Sequence, residues 1–122
     1  MANPSKRKGS TFEQQVVDWL NDVFGTDEFE RLVVGGANDR GDVGWLRTHG
    51  KRVVIEAKNH RRNDMSTWLD EAEKERGNAD AIAKVVFAKR RGVGPKSFGR
   101  TYVLMEADDL FALLTGERPE EE

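Results

Sequence analysis

Between Arg52 and Lys58 the side chains follow a two-residue period, so that Val53, Ile55 and Ala57 fall on one face of a strand and Val54, Glu56 and Lys58 on the other. One face suits a core and the other suits chemistry. Earlier in the chain Phe12, Val16, Trp19, Leu20 and Val23 recur at helical spacing, which predicts a helix over Thr11–Phe24 that stops at Gly25. Ser10-Thr11-Phe12-Glu13 has the spacing of a capping box and sets the helix start there. Phe29 to Val34 alternates as a strand and runs into the loop Gly35-Gly36-Ala37-Asn38-Asp39-Arg40-Gly41, which leads to Asp42. Trp68, Leu69 and Ala72 mark a second helix over Ser66–Arg76, ended by Gly77-Asn78. Further strands are expected over Lys84–Lys89 and Tyr102–Met105, joined by a mobile basic loop, Arg90–Arg100, and a short helix over Asp108–Leu114 follows. The expected order is αβββαββα. No internal repeat is visible.

The turn after Asp42 turns this pattern into geometry. Thr48-His49-Gly50 reads as a three-residue hairpin loop with glycine at the left-handed position. Arg47 then pairs with Lys51, and the same register sets Asp42 opposite Glu56, with Cβ atoms roughly 4.5–5.5 Å apart. A two-residue His49-Gly50 loop would instead put Asp42 opposite Ala57. Two carboxylates that close can share a divalent cation, with the Ala57 carbonyl as a third oxygen ligand. Lys58, on the face of Glu56, is placed to orient a water or to stabilise developing negative charge. Plainer roles exist for the same residues. Glu56 and Lys58 could form an idle salt bridge, although their apolar neighbours indicate a central strand where such a pair is costly. Asp42 could be a turn residue after Gly41, and Glu13 could serve only to cap the helix.

Composition narrows the chemistry. The chain has 122 residues, no cysteine and two histidines, which excludes disulfides and thiolate sites and leaves little room for zinc. A single domain over residues 10–114 is expected, between a flexible basic arm (1–9) and an acidic tail (115–122). No apolar run is long enough for a membrane span and no signal-peptide stretch precedes the first helix, so a soluble, cytoplasmic protein is expected, in a host's cytoplasm if the chain is viral.

The net charge of −2 hides alternating blocks. Residues 1–10 carry +3, 47–62 carry +5 and 84–105 carry +6, while the acids lie between and after them. Such blocks suit a polyanion, because clustered lysines and arginines neutralise phosphates without reading sequence. The candidate DNA contacts are Lys6, Arg7, Lys8, Arg40, His60, Arg61, Arg62, Lys89, Arg90, Arg91, Lys96 and Arg100. Ordinary solvated faces would explain the same charges. His49 reads as a solvated turn residue, and Trp19, Trp45 and Trp68 as core.

With Asp on the second strand and Glu-x-Lys on the third, the chain resembles the PD-(D/E)XK nuclease superfamily. Within it the likeness is to the archaeal-type Holliday junction resolvases, through Arg7-Lys8-Gly9-Ser10 leading to Glu13, then Gly41-Asp42-Val43, then Val54-Ile55-Glu56-Ala57-Lys58. The resemblance covers roughly residues 7–105. It implies a mixed central β-sheet flanked by helices, a restriction-endonuclease-like α/β core, and an active site of Glu13, Asp42, Glu56 and Lys58. Metal contacts would fall to Asp42, Glu56, Ala57 and Glu13. It also implies Mg²⁺ as cofactor, with Mn²⁺ as a substitute, and a homodimer acting on branched double-stranded DNA at four-way junctions. Two alternatives stand beside it: another nuclease of this fold that cuts linear or otherwise branched DNA, and a non-catalytic DNA-binding module. The family often carries a serine in the loop where this chain has Gly35-Gly36-Ala37-Asn38. Its overall acidity also departs from the usual basic members.

Overall fold

The fold is that of a computed structural model describing residues 4–32 and 39–120, with the side chains of residues 4–11 left undescribed. Three helices, α1 (Pro4–Phe24), α2 (Met65–Ala79) and α3 (Ala107–Thr115), surround six strands: β1 (Glu30–Arg31), β2 (Val43–Gly44), β3 (Arg47–Thr48), β4 (Lys51–Lys58), β5 (Ala83–Ala88) and β6 (Tyr102–Leu104). The sheet runs β1-β2-β4-β5-β6, with β3 paired to β4 off that path. Only β4 and β5 are parallel to each other, and α2 is the crossover that parallel pairing requires. The expected mixed α/β architecture is therefore the observed one.

Alternation along β4 and β5 builds two cores. Val53 and Ile55 of β4 and Ala83, Val85 and Phe87 of β5 pack against Phe12, Val16, Val17 and Leu20 of α1 and Ala112 of α3. On the other face Val86 and Ala88 meet Trp68 and Ala72 of α2, and Val54 meets Ala79 and Ala81. Both faces of β4 are thus covered, and Val53 through Glu56 are all buried. The site must lie at the end of the strand rather than on an open face.

Several boundaries differ from expectation. α1 begins at Pro4, six residues before Ser10, because proline suits a helix's first turn, where its missing N–H has no partner to lose. Ser10 accordingly lies inside the helix and not at its start, and the side chains of Lys6, Arg7, Lys8 and Ser10 are outside the described residues. β1 is two residues long; the expected strand residues Val33 and Val34 and the segment Gly35-Gly36-Ala37-Asn38 lie outside the described residues. α2 continues past Gly77-Asn78 to Ala79 and stops at Asp80, which adopts the left-handed conformation (φ 51°). Asp64 caps its start by accepting from the Thr67 N–H.

Arg90–Arg100 is not a loose loop. Pro95–Arg100 forms a 3-10 segment whose Phe98 is buried against Phe12, Trp19 and Phe87, and that burial contributes roughly 1.5–3 kcal/mol toward anchoring it. Trp68 is core as expected and Trp19 packs against the core, but Trp45 is 54 % exposed. Its indole N–H donates to Glu30 Oε1 (3.1 Å). Among the described residues no helix is long and apolar enough to cross a membrane.

Lys84 belongs to a basic block in sequence yet is wholly buried. Its Nζ meets Glu73 (2.8 Å), Glu106 (2.7 Å) and Asp109 (2.8 Å), tying α2 and the start of α3 to β5. Arg118 also bonds Asp109 Oδ1 (3.1 Å). This cation joins helices to the sheet and offers no charge to a polyanion.

Candidate active site

The hairpin is tighter than the sequence suggests. Thr48 pairs with Lys51 and Arg47 with Arg52, leaving a two-residue His49-Gly50 loop with both residues at positive φ (50° and 75°), the conformation of a type I′ turn. That register alone would carry Asp42 opposite Ala57. Farther along, however, Val43 pairs with Ile55. Three residues, Gly44, Trp45 and Leu46, therefore face two, Val53 and Val54, and the extra residue is a β-bulge centred on Trp45 (φ 87°). The bulge restores the register in which Asp42 faces Glu56.

Backbone contacts hold Asp42 there. Its N–H donates to Ile55 O (2.8 Å), its carbonyl accepts from the Leu32 N–H (2.8 Å), and its Oδ2 accepts from the Ala57 N–H (2.8 Å). Ala57 thus joins the site through its amide. Gly41 makes the approach possible: at φ 101°, a Cβ would lie 2.8 Å from Ile55 O and 3.0 Å from a Val54 methyl.

Glu56, 6 % exposed, meets the Asp42 carboxylate, and its Oε1 is buried without a hydrogen-bond partner. Burial first, then the hydrogen bond to Asp42 and its negative charge, and then Glu75 push its carboxyl up to about 10. Glu56 therefore keeps its proton at neutral pH. Lys58 Nζ sits 3.6 Å from Glu56 and 2.7 Å from Glu71 of α2. Burial works against its charge, but the Glu71 hydrogen bond and the nearby carboxylates outweigh it and raise its pKa. Lys58 is thus a committed ammonium, a donor and not a base.

Three further carboxylates and a cation complete the surroundings. Glu75, 5 % exposed on α2, has a buried Oε1 with no partner, and burial, with Asp39 and Asp42 nearby, raises it to about 7. Glu13 is raised by burial and by the charge of Asp42, against two hydrogen bonds that Arg31 donates to its Oε2 (3.1 and 2.9 Å) and that lower it. The structure thus brings Asp42, Glu56 and Lys58 together and sets Glu13 at their rim, engaged by Arg31 of β1.

Glu71, Glu75 and Arg31 escaped the sequence reading. A signal for Glu75 existed: Trp68, Ala72, Glu75 and Ala79 form the buried stripe of α2, and a carboxylate on such a stripe needs a reason. Arg31, exposed in a two-residue strand, left no comparable mark.

The basic residues divide by place. His60, Arg61, Lys89, Arg90 and Arg91 line a groove of about 700 Å³ just beyond the ends of β4 and β5. Arg62, Lys96 and Arg100 are exposed near these segments in sequence, whereas Arg40 lies in a separate groove with Leu32 and Trp45.

Among the described residues no three His, Asp or Glu side chains close round one point. The donor set instead fits a hard cation that keeps most of its waters: two oxygen-bearing carboxylates, one with an orphaned buried oxygen, suit Mg²⁺, which commonly takes one or two carboxylates.

A mixed sheet with a helix on each face, an aspartate beside a bulge and Glu-x-Lys at the end of the neighbouring strand define a PD-(D/E)XK nuclease. The model of the family described as "Phage putative PDDEXK endonuclease" matches residues 4–120, and the chain belongs to that family. Membership supports nuclease chemistry, a hydrolase reaction, with DNA as the substrate class. No match was found among curated proteins or among solved structures.

Proposed function

We propose that the protein is a Mg²⁺-dependent endodeoxyribonuclease acting on branched DNA, with the four-way Holliday junction as its leading substrate and Mn²⁺ as a substitute cofactor. The observation that carries the reading is the Asp42–Glu56 pair facing across β2 and β4, with Lys58 beside it. Asp42 Oδ2 is already taken by the Ala57 amide, so its other oxygen and the orphaned Glu56 Oε1 are the atoms offered to the cation. The bound cation would polarise the phosphate and lower the pKa of its water. Asp42 and Glu56 would hold the cation through these oxygens, Glu56 in its deprotonated form.

In hydrolysis a water oxygen adds to phosphorus, one P–O bond breaks, and a proton reaches the leaving oxygen. Lys58 supplies a fixed positive donor for the charge that builds on the phosphate oxygens, and Glu71 orients it. Glu13, steered by Arg31, is placed to hold a water at the rim. The Ala57 carbonyl remains a candidate third oxygen ligand.

A homodimer would present two such sites to a two-fold junction. The basic residues named from the sequence supply its phosphate contacts, and the cytoplasm, or a host's cytoplasm, is the expected compartment. The single nuclease domain is taken as residues 10–114.

The test is cleavage of a synthetic four-way junction, a flap and a linear duplex with Mg²⁺, by wild type and Lys58→Ala. Paired symmetric nicks confined to the junction and a fall of about 100-fold or more in the variant are expected. Equal cutting of linear duplex would make the protein a different nuclease of this class, and unchanged cutting by the variant would remove Lys58 from the site.

A further inference from the structure

The groove beyond β4 and β5 starts next to the active site. Lys58 O accepts from the Lys89 N–H (2.9 Å), so the walls rise from the residues that follow the catalytic strand and its parallel neighbour. This is the edge of an α/β sheet where ligands are commonly received. At about 700 Å³ it has the size of a small-molecule pocket, roughly 300–1,000 Å³.

Its lining is unlike a simple phosphate track. On one side the His60 imidazole stacks on Trp68, with centroids 5.7 Å apart at 29°. On another, the Arg90 guanidinium lies over the Tyr102 ring at 4.8 Å and is fixed by a bond to Arg100 O (3.2 Å). Tyr102 is 52 % exposed on edge strand β6, so its ring is open to a ligand. The amides of Asn59 and Asn63 and the Arg61 side chain line the same groove. Flat π-faces and a guanidinium plane are stacking platforms for nucleobases, amides offer a donor and an acceptor to a base edge, and arginine binds the attached phosphate.

A continuous duplex presents none of its base faces, and flipping a base out costs a few kcal/mol. We infer that this groove is a subsite for one unpaired nucleotide adjoining the scissile phosphate. The base stacks between His60 and the Arg90–Tyr102 pair, and its edge meets Asn59 and Asn63. This rests on the endonuclease reading of Asp42, Glu56 and Lys58, and it narrows the branched substrates to those that carry an unpaired base where strands part.

The test separates the two readings. In EDTA, affinity is measured by fluorescence anisotropy for a blunt duplex and for the same duplex with a short single-stranded tail, the first tail base being 2-aminopurine. Wild type is expected to prefer the tailed DNA by about tenfold and to quench the 2-aminopurine. Tyr102→Ala and Tyr102→Leu should lose both the preference and the quench while binding blunt duplex as before. Equal affinity of wild type for the two DNAs, or equal loss by the variants on both, overturns the subsite. Cleavage is then measured with Mg²⁺ on a four-way junction with and without an unpaired base at its branch point. Cutting without preference for the unpaired base leaves the nuclease reading standing and removes the subsite, whereas tail preference in EDTA with no cutting of either junction or of the tailed duplex supports the subsite and removes the nuclease reading.

Discussion

Replacing Glu56 by glutamine tests the buried pair directly, because it keeps the side chain's shape and removes its proton chemistry. In the cation-free folded protein Glu56 holds its proton to about pH 10, against an ordinary value of 4.5. Between those values the folded state binds more protons than the unfolded state, so the stability contributed by this group is full below about pH 4.5 and falls as pH rises. One proton corresponds to about 1.36 kcal/mol per pH unit, so wild type should lose about 2.7 kcal/mol over any two pH units in this window that Glu56→Gln keeps. Glu75 adds a slope of the same sign up to about pH 7, but in both proteins, so it largely cancels in the comparison. The assay is urea unfolding in EDTA at several pH values from about 5.5 to 7.5. The stability gap between variant and wild type should widen steadily with pH, and added Mg²⁺ should stabilise wild type more than the variant. Parallel pH profiles would refute the protonated state of Glu56.

Two further outcomes follow from the packing. Lys84→Met removes the central cation from the fully buried Asp109, which keeps only Arg118, and from Glu73 and Glu106, and should cost about 3–5 kcal/mol in urea unfolding, whereas Lys84→Met with Asp109→Leu should recover part of it. Gly41→Ala forces a Cβ to within 2.8 Å of Ile55 O at a φ of 101°, so a loss of about 1–3 kcal/mol by thermal melting is expected, with a larger loss of cleavage because Asp42 moves.

Much of the fold was legible because its central elements are strongly periodic. β4 and β5 lie between two helical layers, so their apolar runs had to be strands of a covered sheet, and the α1 stripe from Phe12 to Leu20 could only face it. Features decided by tertiary contacts were not legible. Lys84 read as surface charge because its three acidic partners come from positions 11 to 25 residues away. The segment Arg90–Arg100 read as loose because the core that receives Phe98 is assembled from α1 and β5. Trp45 read as core on residue type alone, while its backbone had been taken by the bulge.

The Asp42–Glu56 pairing shows how a register can be read correctly through an incorrect intermediate. The loop is one residue shorter than expected and the strand beyond it one residue longer, and the two differences cancel at Asp42. Neither is a free choice. His49-Gly50 can take the two positive φ values of a tight hairpin turn, which suits the twist of the flanking strands. A tight turn without a bulge would point Asp42 away from Glu56, leaving Glu56 buried without the Asp42 carboxylate beside it. The extra residue at Trp45 re-aims the chain, and Gly41 then lets it press against Ile55 so that Asp42 spans the Ile55 carbonyl and the Ala57 amide. The site therefore depends on how many residues lie between Val43 and Arg47 more than on which residues they are, and residue count inside a bulge is the quantity that alternation of side chains does not encode.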